Sequence, residues 1–168
     1  MSSTESTLID WTKSHITNLY APHAENSGTD EAVQLQTDLD AAFAPDAEIR
    51  LNHTLVDREK LKAFVASRRA GKVSTEVECK PEDLIEAPVE EGNAEAGSIV
   101  AGKVTLIRTH KWRIRAAPAK TSTVILFSAK IMQKPSPQIV QLFQTSVDKP
   151  VQIVLPTVRH AEVDASAL

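Results

Sequence analysis

The sequence predicts an α+β fold in one domain, with helices first and a run of antiparallel strands after them. Three observations predict it. Apolar residues recur at helical spacing through the first part of the chain, most clearly at Ala32, Leu35, Leu39 and Phe43. From Val73 onward the period changes to two, as in Val73, Thr75, Val77 and Cys79 set against Ser74, Glu76 and Glu78. Between these regions lie one short strand and a third helix. Helices grouped ahead of strands argue for α+β rather than for repeated strand–helix–strand units.

Taken in order, Ser6 to Tyr20 reads as the first helix, with Leu8, Trp11 or Thr12, His15 and Leu19 near one face. Ala21 to Gly28 is a loop, and His23 within it is a solvated loop residue or lies at a pocket mouth. Thr29 or Asp30 caps the second helix, which runs to Phe43. Pro45 and Asp46 stop that helix, because a residue before proline avoids the α region. Ile49, Leu51 and His53 then share one face of a short strand. Asp57 is a helix cap, and Val56 with Leu61 has the spacing of a hydrophobic staple. Leu61, Phe64 and Val65 form the buried stripe of this third helix, which reaches toward Arg68, and Gly71 ends it.

The stretch FAPDAEIRLN, then a short loop, then REKLKAFV, resembles the nuclear transport factor 2-like superfamily, which includes SnoaL-like polyketide cyclases and ketosteroid isomerases. The resemblance is sharp over Ala41 to Gly71 and elsewhere is an order of elements. It implies a cone-shaped half-barrel: a curved antiparallel sheet wrapped on the N-terminal helices, with the first two helices closing the wide end. It also implies a homodimer through the outer sheet face. In the isomerases a carboxylate base lies on the short strand. The matching position here is near Leu51, and leucine accepts no proton.

The remaining chain reads as strands. Pro81 to Gly97 is an acidic, solvated connection, in which Leu84 and Ile85 continue the preceding strand. Ile99 to Arg115 is the longest strand. Its apolar face acquires Arg108, His110 and Trp112, which marks a core opening into a polar-rimmed cavity or a strand leaving the core for water. Thr121 to Gln133 is apolar on both faces at its centre, as expected of a strand covered by helices on one side and by a partner on the other. Ile139 to Val147 follows, then an edge strand over 151–155 and a loose tail over 156–168. One domain over 1–168, with its core at about 6–155, fits a chain of 168 residues.

Composition sets bounds. A net charge of -3 gives no basic footprint for nucleic acid. No apolar run has the length of a membrane span, and the N-terminus lacks a signal-peptide core, so the expected location is cytoplasmic. Cys79 is the single cysteine and reads as a buried structural thiol. Metal-ligand spacings and phosphate loops are missing, so no cofactor is expected.

Two functions stand open, beside a third reading as a nuclear transport factor proper, which no second domain or targeting segment supports. In the first, the cone binds a small, mostly apolar metabolite, with SnoaL-like cyclisation, isomerisation or dehydration as its chemistry. His53 is then the candidate catalytic base, and Arg108, His110, Trp112 and Leu51 the ligand-binding set. In the second, the fold is a non-catalytic dimerisation or protein-interaction module. A cavity with converging His and Arg favours the first; a cone filled by side chains favours the second.

Overall fold

A computed structural model describes residues 7–21, 31–69, 72–93, 97–114 and 117–150. His23, the caps Thr29 and Asp30, the stop Gly71, the edge strand over 151–155, the tail and the side chain of Trp112 lie outside the described residues.

Helix α1 spans Leu8–Tyr20 and is capped by Thr7, whose hydroxyl oxygen accepts the Asp10 N–H at 3.2 Å. Helix α2 spans Glu31–Ala42. The helix stop falls where Pro45 places it, but no turn follows. Strand β1, Phe43–Leu51, begins at once. Its pairing shifts between Phe43 and Glu48, and that irregularity absorbs Pro45, which has no N–H to give to a ladder. Strand β2 is Thr54–Val56, and α3 is Arg58–Arg69. Asp57 caps α3 as expected, its carboxylate accepting the Lys60 N–H at 2.8 Å.

Five further elements complete the sheet: β3 (Lys72–Glu78), β4 (Leu84–Pro88), β5 (Ser98–Ile114), β6 (Ala117–Met132) and β7 (Gln138–Pro150). The strand order is β2-β1-β7-β6-β5-β3, with β4 also on β5. Leu84 and Ile85 therefore belong to a strand of their own, separated from β3 by a 3-10 turn over Pro81–Asp83. The sheet is mixed rather than wholly antiparallel, because β1 runs parallel to β7, with Ile49 opposite Leu142. At Gly102 the chain passes so close to the 3-10 turn that a Cβ would lie 2.5 Å from the Asp83 carbonyl oxygen.

The three helices cover one face of this curved open sheet. Leu19, Tyr20, Leu35, Leu39, Leu61 and Val65 from the helices meet Ile49, Val104, Leu106, Ile125, Ile131 and Ile139 from the strands. On β6 the odd residues Ile125, Phe127, Ala129 and Ile131 are buried, whereas Leu126 on the other face is exposed. Arg69, not Arg68, is the buried arginine of α3. It donates to the carbonyls of Leu19 at 3.0 Å and Asn18 at 2.7 Å, and to Asp38 at 3.3 Å.

Leu61 is fully buried and Asp57 is exposed. Leu61→Ala is expected to cost about 2–4 kcal/mol as a large-to-small core change. Asp57→Ala is expected to cost about 1 kcal/mol as a lost cap. Denaturant melts of the two variants check the order; equal or reversed costs would contradict this packing of α3.

Candidate functional site

The interior of the cone is the first place to look for chemistry. Helix α1 supplies His15, Ile16, Leu19 and Tyr20, and the sheet supplies Ile125, Phe127, Ile139, Leu142 and Gln144. The space these side chains leave is a cavity of about 10 Å³. That is room for roughly one water, against the ~300–1,000 Å³ of a small-molecule site. The cone is filled.

Its wall nonetheless carries polar groups. The Tyr20 hydroxyl donates to Gln144 Oε1 at 2.9 Å, deep in the core. Burial pushes the Tyr20 hydroxyl far above its ordinary range, against the Gln144 hydrogen bond and the charge of Arg68, so it stays protonated and donates. Gln144 Nε2 is buried with no partner. His15 stacks at a tilt on Trp11, ring centroids 4.3 Å apart. Burial lowers its pKa, with Asp38 opposing, so the ring is biased toward the neutral form.

The residues singled out in the sequence fall at separate places. Leu51 packs partly buried against the core. His53 does not continue the β1 face. Asn52 and His53, at φ 49° and 68°, form the two-residue turn between β1 and β2, and His53 is exposed. Asn52 fixes that turn: its N–H donates to the Gln144 carbonyl and its side-chain oxygen accepts the Ser146 N–H, each at 2.8 Å. Strands β7 and β6 separate β1 from β5, so His53 and Arg108 are three strand spacings apart, about 14 Å along the sheet. His110 and Arg108 do lie together at one end of β5, where His110 Nε2 and Thr121 Oγ1 share a 2.9 Å hydrogen bond.

Arg108 is buried, and its charge is engaged. Its Nη2 donates to Thr123 Oγ1 and, at 3.0 Å, to Asp148 Oδ1. Arg68, on the last turn of α3, donates to both oxygens of the same carboxylate at 2.7 and 2.6 Å. Two guanidiniums and a threonine hydroxyl thus converge on Asp148, fastening the end of α3 to β5, β6 and β7. The Nε atoms of both arginines are buried without partners. Neither Asp148 nor Gln144 stood out in the sequence, since only the strand registers bring them to their partners.

The outer face of the sheet is the second place to look. Ile85 on β4, Leu126 on β6, Phe143 and Val147 on β7, and Leu55 on β2 are all exposed there. The register places Val124 opposite Val147, so the apolar residues adjoin across β6 and β7. Among the described residues no group of three or more His, Cys, Asp or Glu could hold a metal ion, and no helix is long and apolar enough to cross a membrane. Cys79 is buried, and that burial pushes its thiol pKa up, away from a reactive thiolate.

The architecture is α+β, three helices on one face of a curved, open, mixed sheet. The chain shares its fold with Mtr2 of Candida albicans, at 11% identity and a TM-score of 0.51 over 84% of this chain and 93% of that one. The C. albicans Mtr2–Mex67 M domain complex matches at 10% identity and a TM-score of 0.50, covering 85% and 94% of the two chains. An NTF-2-like protein of unknown function from Pseudomonas aeruginosa aligns at 14% identity and a TM-score of 0.43, over 82% and 95%. At these identities the likeness is one of fold. No protein-family model matches the sequence. No curated protein matches it either.

The Asp148 cluster makes a pH prediction. Burial alone would raise this carboxyl, but hydrogen bonds from Arg68 and Thr123 and the charges of Arg68 and Arg108 outweigh it and lower the pKa. A depressed carboxylate contributes stability above its unfolded value of about 3.9 and loses it as pH falls through the folded value. Asp148→Asn should therefore cost at most about 1 kcal/mol at pH 7, since the half-exposed carboxylate is screened by solvent, and lose less stability than the parent below about pH 4. Urea melts across that range measure both.

Proposed function

We propose that this chain is a protein-interaction module that pairs with a second copy of itself through the outer face of its sheet. The observation that carries this reading is the exposed apolar band on that face: Leu126 is 54% exposed, Val147 52% and Phe143 40%. Apolar side chains gathered on the centre of a sheet are costly to leave in water and are ordinarily covered. The filled cone supports the same reading by leaving the interior without room for a metabolite.

Charge argues for a second copy as the occupant. Across one row of the outer face the register runs Glu76, Ile107, Ser122, Lys149; the next runs Glu78, Thr105, Val124, Val147. Acids thus stand at the β3 side and a lysine at the β7 side. A two-fold axis running along the strands brings the β3 side of each copy over the β7 side of the other, so Glu76 meets Lys149 twice. An axis across the strands would set like charges together.

Sedimentation at micromolar concentration should give twice the 18.3 kDa of one chain. Leu126→Glu should give a folded monomer. Glu76→Lys and Lys149→Glu should each weaken pairing several-fold, and together restore it. A monomeric parent protein, or a double swap without rescue, would overturn the proposal.

One observation favours a second reading, a small apolar metabolite held in the cone with SnoaL-like acid–base chemistry. Gln144 Nε2 is a buried donor without an acceptor, beside the Tyr20 hydroxyl and the His15 ring. This reading requires side chains such as Phe127 to move aside. Its test is thermal stabilisation by apolar ketones and aromatic polyketides that Gln144→Leu abolishes; stabilisation unchanged in that variant counts against it.

A further inference from the structure

One feature of the surface lies apart from both the cone interior and the outer face. At the end of the sheet where β4 stops and β5 begins, the first turn of α1, β4 and the β6–β7 connection border one cleft. The cleft, of about 390 Å³, is lined by the apolar Leu8, Trp11 and Pro137 and the polar Thr7, Glu86 and Gln133. A second cleft of about 350 Å³ is also lined by Gln133, together with Pro88 and Glu90. Gln133 lines both, so the two clefts adjoin at that side chain and form a groove among the described residues.

We propose that this groove docks an extended, basic segment of another protein. Its chemistry selects that occupant over others. Both acids of the groove are exposed, and Glu86 has no hydrogen bond or ion pair to any described residue. The Glu90 carboxylate accepts the Asn93 side-chain amide at 3.0 Å and has no ion pair among the described residues. Two such carboxylates repel phosphates, nucleic acid and anionic lipid, and attract lysine or arginine. The Trp11 ring and Leu8 give the aliphatic stem of a basic side chain an apolar wall. The Gln133 amide at the junction offers both a donor and an acceptor to a peptide backbone passing over it.

The groove can be followed by an extended chain. Glu86 and Glu90 are four residues apart along β4 and the turn after it, at most ~13 Å, which matches basic residues about four apart in an extended ligand. Prolines on both walls, Pro88 and Pro137, present flat apolar surface without N–H groups that would need partners.

The test uses the full chain and a fluorescein-labelled octapeptide of alternating Arg and Pro, with an alternating Glu and Pro peptide as control. Fluorescence anisotropy should show saturable binding of the basic peptide only. Glu86→Lys should weaken it by about tenfold or more, and Glu90→Lys by several-fold. Both positions are exposed and leave the core intact, and Glu59→Lys, an exposed charge reversal on α3, should leave binding unchanged. Leu126→Glu should also leave it unchanged, which separates this groove from the sheet-face pairing. No saturable binding up to millimolar peptide, equal binding of the acidic control, or an equal loss in Glu59→Lys and Glu86→Lys would each overturn the proposal.

Discussion

The helical layer depends on one buried cation. Arg69 has its side chain 1% exposed, yet carries a full charge among three helices. The charge is tolerable because the carbonyls of Asn18 and Leu19, at the negative end of α1, accept from it and Asp38 of α2 pairs with it. One side chain on α3 therefore sets where both other helices end relative to the sheet. Around it the crossing of α2 and α3 is edged by Arg58 to Asp40 at 2.7 Å and Lys62 to Gln36 at 3.0 Å. Exposed pairs of that kind contribute little by themselves. What they do is hold the register that the buried arginine requires. With α1 held there, Ile16, Leu19 and Tyr20 are pressed into the cone, and the cone closes.

Much of this fold was legible because its signals are local. The Asp57 cap, the Leu61 stripe and the alternation of β5, β6 and β7 each need only a few neighbouring residues to be read. The failures are where one residue has two local meanings. Pro45 reads as a turn, but a strand can carry a proline where the ladder is interrupted, and β1 does so. His53 continues the alternation of Ile49 and Leu51 in sequence, yet the chain has already turned. The overlooked sign was Asn52, a residue that accepts positive φ at small cost and that here anchors the turn to β7.

The polar groups of the interior were hidden for a different reason. Tyr20 and Gln144 are 124 residues apart in sequence, and Arg108 and Asp148 are 40 apart. Periodicity says which face a residue occupies but not which residue stands across from it. Arg108 was legible as a charge arriving on an apolar face. Its role as one of two cations on a single carboxylate was not, because that depends on α3 ending over β7. An arginine in such a position invites assignment to a ligand, and the structure gives it an internal partner instead.

The two faces of the sheet place opposite demands on one set of strands. Facing inward, β6 presents Ile125, Phe127, Ala129 and Ile131 and is satisfied by the helices; facing outward, it presents a half-buried Val124 beside Val147 and an exposed Leu126. A strand that only needed to fold would carry polar residues on that second face, as β3 does with Ser74, Glu76 and Glu78. Apolar residues there add little to the stability of a single chain, because they remain in water in both the folded and unfolded states. Their energetic effect appears only when the face is covered. Selection for folding alone gives no account of Leu126, Phe143 and Val147, whereas burial against a second surface does.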